Sequence, residues 1–304
     1  MFRRGVALAF AGSFLVVVAL LSQTYATSRL LGTMVDSDAT ILMAGSARFP
    51  RESVPVRVTE IDHADPTRST GETVVWSRLT CVVRARQGVP DCVSDDDASG
   101  ALIWAEVDHF ATDRSTAEAA NDPTLLPADA LPHQGLVNRF PPGARKASHE
   151  FWDPFVGQAF EAHYVGAGHT SGLATLHYRV RVSGQPMSLS TDQTASYSSV
   201  TDLYVAPATG QIVDRTVDQS RTDAQGSSVA EIHYAATPAQ VASDVAQART
   251  DARRLHLVHV VVPLAGYVAG GVLLLVCVLL LVLGRRTPTR AAGEHRISKQ
   301  SISV

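Results

Sequence analysis

Lysine is almost missing from this chain. Lys146 and Lys299 are the two lysines among 26 basic residues and the others are arginine, which reads as the coding bias of a GC-rich genome rather than as chemistry. Cysteine is scarce too, at three residues, and no Cys-x-x-Cys pair occurs, so zinc-ribbon and thioredoxin-like motifs are excluded. Aromatic residues make up only 6% of the chain and are scattered, which argues against the aromatic girdles of a membrane β-barrel. The sequence also has no Gly-x-Ser-x-Gly elbow, no His-Glu-x-x-His and no phosphate-cradling Gly-rich loop. No enzyme is expected, no catalytic residue is assigned, and no metal or cofactor is called for.

Charge is lacking altogether from two long stretches, residues 5–21 and residues 257–283. A membrane-spanning helix needs about 20 apolar residues. Residues 257–283 exceed that length, with His259 near the interface end and Pro263, Gly266, Gly270 and Gly271 of kinds common in membrane helices. Gly266 and Gly270, four apart, match a helix-packing face, although glycine is frequent in such segments anyway. Residues 5–21 sit at the lower limit for a span. Arg3 and Arg4 before them, and Thr24-Tyr25-Ala26 after them, also fit a cleaved signal peptide. The apolar run is longer than the ~7–15 residues usual for a signal peptide, so residues 1–23 are expected to be an uncleaved anchor.

Basic residues mark the cytoplasmic side of a membrane segment. Arg3 and Arg4 precede the first run, and Arg285, Arg286, Arg290, Arg296 and Lys299 follow the second, which makes residues 284–304 a basic tail. Both ends give one answer: a two-pass plasma-membrane protein, both termini cytoplasmic, with residues 24–255 outside and the lipid bilayer as partner. Between the runs remain 19 basic and 28 acidic residues, a net charge of −9. That exterior argues against nucleic acid, whose binding needs clustered Lys and Arg, and no nucleic-acid partner is expected. Cys81 and Cys92, eleven apart and on the oxidising side, are expected to form a disulfide across a hairpin, with two separate thiols as the alternative. Cys277, inside the second apolar run, reads as packing.

Period-2 alternation dominates the exported part. In residues 173–182, Ala174, Leu176, Tyr178, Val180 and Val182 fall on one face and Thr175, His177, Arg179 and Arg181 on the other. Strands are also predicted at residues 54–61, 73–83, 101–110, 201–206, 211–220 and 229–235, with turns at Asp113-Arg114-Ser115-Thr116 and Pro207-Ala208-Thr209-Gly210. Residues 121–145 carry five prolines and are a candidate boundary inside the domain. A helix is predicted over residues 237–256: Thr237 as cap, Pro238 at the first position and Gln240 completing a capping box, followed by Val241, Val245, Ala248, Ala252 and Leu255 at helical spacing. The fold class is therefore mainly β (α+β), an antiparallel β-sandwich or half-barrel over residues 24–236, then a juxtamembrane helix, flanked by N- and C-terminal transmembrane helices. Gly166-Ala-Gly168-His-Thr-Ser-Gly172 precedes a strand and reads as a loop. Asp95-Asp96-Asp97 reads as a solvated acidic turn, and the histidines lack metal-ligand spacing.

Several stretches together resemble a known family: the Arg-Arg start with its apolar run; Ala111-Thr-Asp-Arg-Ser-Thr-Ala-Glu-Ala119; Gly135-Leu-Val-Asn-Arg-Phe-Pro-Pro-Gly143; Phe151-Trp-Asp-Pro154; and Asp202-Leu-Tyr-Val-Ala-Pro-Ala-Thr-Gly-Gln-Ile-Val213. The chain is similar to the PorA-family proteins of actinobacteria, a porin-labelled domain of unknown function. The resemblance implies an envelope protein with a large exported domain between two membrane helices, and a link to envelope lipids or glycolipids. The Cys81 and Cys92 pair departs from it. The expected function is binding or transfer of an envelope lipid or glycolipid, with Phe151, Trp152 and Phe155 lining or covering a cleft. The plainer reading of Trp152 and Phe155 is core, with Asp153 and Pro154 as a turn. A pore is one alternative, and an envelope scaffold that recruits membrane-protein partners is another.

Overall fold

The computed structural model describes residues 2–23, 38–94, 96–190 and 193–285. The chain forms two compact units, one of Thr27–His256 and one that combines Met1–Ala26 with Leu257–Val304. Thr24-Tyr25-Ala26, Asp95, Arg286, Arg290, Arg296 and Lys299, on which sequence expectations rest, lie outside the described residues.

The larger unit is built on one antiparallel sheet of ten strands, curled into a half-barrel. A first meander comprises β1 (Ala39–Phe49), β2 (Glu52–Ala64), β3 (Thr73–Arg84) and β4 (Leu102–Asp113). A second comprises β5 (His149–Asp153), β6 (Gln158–Thr170), β7 (Leu173–Ser190), β8 (Gln193–Val205), β9 (Ile212–Thr222) and β10 (Ser228–Ala236). The spatial order is β4-β3-β2-β1-β10-β9-β8-β7-β6-β5, so β1 and β10 form the seam between the meanders and β4 and β5 are the free edges. Alternation explains the inner face: Leu176, Tyr178, Val180 and Val182 of β7 are all buried, while Arg179 and His177 pair on the other face with Asp202 of β8. Thr175 breaks the expected pattern, buried against Thr170 across the β6–β7 hairpin.

Three strands escaped the sequence pattern. In β5, Phe151, Trp152 and Asp153 are buried in succession, so no alternation marks it. The glycine-rich run read as a loop instead lies mostly in β6, where a register irregularity falls between Tyr164 and Gly166. Only Ser171 and Gly172 form the turn, both at positive φ. The small residues of β1 carry little strand signal. Residues 121–145 lie in the same compact unit as both meanders and join them.

Cys81 of β3 and Cys92 of the β3–β4 connection are disulfide-bonded, with Cα atoms 5.6 Å apart. The bond holds that connection against β2, where Thr59 Oγ1 donates to Asp91 O at 3.0 Å and Arg57 pairs with Asp91. Helix α2 (Pro238–His256) buries Val245 and Ala248 against Ala206 and Val213. Its capping box is half made: Gln240 N donates to Thr237 Oγ1 at 3.2 Å, but the Gln240 side chain accepts from Leu42 N and Thr237 N donates to Leu42 O. The unused half of the box ties the helix start to β1.

The smaller unit pairs α1 (Phe2–Leu21) with α3 (Val262–Arg285), which follows a π-helical turn at Leu257–Val261. A Cβ on Gly270 would lie 2.8 Å from the Gly12 carbonyl oxygen, and one on Gly266 would lie 2.8 Å from Ala19 Cβ, so backbones meet at these glycines. Helix α3 is long and apolar enough to cross a membrane by length and composition, whereas the apolar part of α1, Val6–Leu21, is shorter.

Gly45 sits in the seam, where a Cβ would come 1.9 Å from the His233 carbonyl oxygen. Gly45→Val is expected to part β1 from β10 and destabilise the unit by about 3 kcal/mol. Urea unfolding followed by far-UV circular dichroism checks this; a midpoint equal to wild type would contradict it.

Candidate functional site: the groove between the sheet edges

The two edges of the half-barrel face each other and are sewn together along one face of β4. Strand geometry puts Trp104, Glu106, Asp108, Phe110 and Thr112 on one side, two residues apart. At Thr112 the closure is backbone: bridges run from Thr112 to Ala119, from Glu118 to Leu136, and from Leu136 to Phe151 of β5. At Phe110 and Asp108 it is His133, whose ring lies 5.4 Å from Phe110 and 4.4 Å from Trp152 and whose Nε2 is 2.9 Å from Asp108 Oδ2. Asn121 fixes that histidine, donating from Nδ2 to His133 O and accepting from His133 N. At Trp104 it is Phe155, in the turn after β5, with ring centroids 4.9 Å apart.

Beneath this closure lies a cavity of about 100 Å³. Val58, Val82, Val180, Val217 and Ile232 supply an apolar belt from five strands, and Trp104 adds a wall from the β4 edge. The three residues singled out from sequence, Phe151, Trp152 and Phe155, all line this cavity. Phe151 also stacks on Phe140 at 5.9 Å, and Trp152 joins the buried cluster of Trp76, Phe110 and Val137. These two are at once core residues and wall. Asp153 and Pro154 do form a turn, in which Asp153 Oδ1 accepts from Phe155 N and Val156 N.

The cavity is not uniformly apolar. On one side Arg215 Nη2 meets Glu60 at 2.6 Å, and Arg78 grips Asp62 through two bonds of 2.6 and 2.7 Å. Burial would raise the Glu60 pKa, but Arg215 and Arg78 outweigh it and hold Glu60 below the usual carboxylate range. Burial likewise opposes the charge of Arg215 and Arg78, yet Glu60 pushes the Arg215 pKa up, and Asp62 with Glu60 pushes that of Arg78 up. Glu60, Arg78, Val137, Phe151 and Arg215 also border a polar chamber of about 450 Å³ under α2. There burial lowers the Arg139 pKa to about 10, against the attraction of Asp251, and its Nη2 donates to Thr209 O at 2.5 Å. Burial also pushes Asp214 and Asp244 up.

On another side Asp153, Tyr197, Ser199, Gln219, Arg221 and Tyr234 cluster. Burial pushes the Asp153 carboxyl above its ordinary range despite the bonds it accepts from Val156, Phe155, Tyr197 and Ser199. None of these charged groups was assigned to a site from sequence, where Asp153 was read as a turn residue. One signal was there: Val56 and Val58 set an inward phase in β2 that Glu60 and Asp62 continue, so two acids fall where the pattern demands apolar residues. Among the described residues no group of three or more His, Cys, Asp or Glu is placed to hold a metal ion.

Glu60→Ala would strand a buried Arg215 and is expected to cost about 3–5 kcal/mol. Because the folded pKa of Glu60 is depressed, its contribution is fully present above the unfolded carboxylate pKa and is lost as pH falls through the folded value. Unfolding midpoints measured from pH 7 down to pH 3 should fall less steeply in Glu60→Gln than in wild type; parallel curves would contradict the assignment.

No curated protein matches the chain. Among solved structures, a DUF1329 family protein from Desulfovibrio piger aligns over 70% of this chain and 91% of its own at 9% identity, with a TM-score of 0.18, too low to carry any argument. The family model described as Porin PorA matches residues 4–279, most of the sequence, and the chain belongs to that family.

Proposed function

We propose that this protein is a membrane-anchored extracytoplasmic envelope protein, of an actinobacterial type of cell envelope, that binds a lipid or glycolipid in its half-barrel and helps to transfer it. The observation that carries this reading is the cavity between the sheet edges, with its aliphatic belt and its walls of Phe151, Trp152 and Phe155; at about 100 Å³ it takes a short stretch of one acyl chain. Concave, mostly apolar sites with a few placed polar groups are the ordinary form of small-ligand sites. The role is binding rather than catalysis. In this reading α3 and α1 together are the anchor, both termini are cytoplasmic and residues 24–255 lie outside. The apolar length of α3 and the basic residues beyond both ends support that topology.

The family's description favours a second reading, a pore. The glycine face at Gly266 and Gly270 is taken up by α1 of the same chain, so in this reading the pore assembles through other faces of the two helices. Discrete conductance steps from purified full-length chain in planar bilayers would favour the pore over the carrier.

Native mass spectrometry of the full-length chain, released from micelles after incubation with envelope lipid extract, tests the preferred reading. A bound mass matching one lipid is expected on the wild type and not on Val217→Phe, which fills the apolar belt. A chain that stays empty under these conditions sinks the carrier reading. So does a lipid that Val217→Phe retains.

A further inference from the structure

The second polar side of the cavity holds an arginine that its neighbours do not satisfy. Arg221 of β9 lines the cavity, and its Nε is buried without a hydrogen-bond partner. Its side chain makes one long bond, Nη2 to Gln219 Oε1 at 3.4 Å, and its guanidinium lies 5.0 Å from the centre of the Phe155 ring. Arg78 and Arg215, which line the same cavity, are each paired with a carboxylate at 2.6 Å, whereas Arg221 has no ion pair among the described residues. The nearby carboxyl is engaged elsewhere: Asp153 gives Oδ1 to the Phe155 and Val156 amides and Oδ2 to the Tyr197 and Ser199 hydroxyls.

We propose that Arg221 is the counter-charge for a ligand carboxylate, and that the cavity is a site for an acyl carboxylate whose chain lies along Val180, Val217, Val58 and Ile232. This rests on the reading that the cavity takes an apolar ligand and names its head. Arg221 is half-buried and its Nε is shut off from water without a bond, which is costly, and an anion that reaches that edge gains a charge-assisted bond. The planar carboxylate matches the edge of the guanidinium. An ammonium head would meet Arg221 as a like charge. A phosphate dianion would bring a second negative charge beside Asp153, whose carboxyl burial already pushes toward the neutral form. The Tyr234 hydroxyl, which accepts from Gln219 Nε2, keeps its own proton to donate to a carboxylate. The size also fits a short chain: about 100 Å³ is of the order of the ~150 Å³ cavity that holds a benzene ring.

Trp104 and Trp152 line the cavity, so bromine quenching reads occupancy directly. Full-length chain in lipid nanodiscs is titrated with 6-bromohexanoate and with 6-bromohexanol, with empty nanodiscs as the partition control. The carboxylate is expected to bind at least tenfold more tightly than the alcohol. Arg221→Gln should remove that preference while leaving alcohol quenching in place, which shows the cavity intact, and Arg221→Lys should restore part of it. Alcohol and acid binding within twofold of each other in the wild type, or a preference that survives Arg221→Gln, overturns the carboxylate assignment and leaves an apolar site standing. Saturable quenching by neither probe overturns the assignment and the apolar-ligand reading together.

Discussion

A curled sheet of ten strands has two edges, and the interior depends on how those edges are closed. An edge strand presents unpaired backbone groups, which natural proteins cover, shorten or charge. Here β5 is only five residues long and the connection that follows β4 is folded back over the gap. Leu136 is the pivot: its amide donates to Glu150 O, its carbonyl accepts from Trp152 N, and the same stretch bridges to Glu118. Gly135, at positive φ, lets that stretch lie against β5, since a Cβ there would come 2.5 Å from Glu150 O. A connection rich in proline serves this role well, because it must run extended across two edges without joining either as a full strand.

The interior so closed is expensive. Apolar residues alone would fill a half-barrel more cheaply, since replacing a buried ion pair by packed hydrophobic residues is often neutral or stabilising. This chain instead keeps Glu60–Arg215 and Asp62–Arg78 on the inner face, where β2 has otherwise an unbroken apolar phase. The pairs satisfy each other; Glu60, Arg78 and Arg215 border both the cavity and the polar chamber, and Asp62 borders the chamber, so the pairs stand between the two. Arg221, Asp153 and Tyr197 form a different kind of polar cluster, one whose cation makes no ion pair among the described residues.

The sequence made some of this legible and concealed the rest for physical reasons. A long alternating strand such as β7, the Pro207–Gly210 hairpin and the start of α2 declare themselves locally, because side-chain phase, turn chemistry and capping act over a few residues. The cysteine spacing pointed to the bond between Cys81 and Cys92. By contrast, β5 is buried on both faces because the connection covers it, and β6 contains glycines that look like a loop until β7 pairs with them. Phe151, Trp152 and Phe155 were visible as an unusual aromatic group, and they do line the cavity. Glu60, Arg78, Arg215 and Arg221 were not visible, because a charge in a strand reads as solvent-facing unless the phase is followed and because their partners lie up to 155 positions away. Sheet closure is a long-range property, and no window of residues contains it.

The contacts along β4 differ in kind, and the difference places the chemistry. At Thr112 the closure is backbone hydrogen bonding, continuous with the sheet. At Asp108 and Phe110 it is a buried histidine clamped by Asn121, with both ring nitrogens facing oxygen acceptors. At Trp104 it is one aromatic contact with Phe155, a half-buried residue in a turn, and such contacts contribute only about 0.5–1.5 kcal/mol beyond the area they bury. Restraint therefore weakens along β4 from its C-terminal to its N-terminal end. Phe155 belongs to both descriptions, since the same ring that meets Trp104 lies over Arg221 and 5.5 Å from Tyr197. The least restrained stretch of the closure and the unpaired cation of the cavity thus share one side chain, so any change that moves Phe155 alters the width of the groove and the field inside it together.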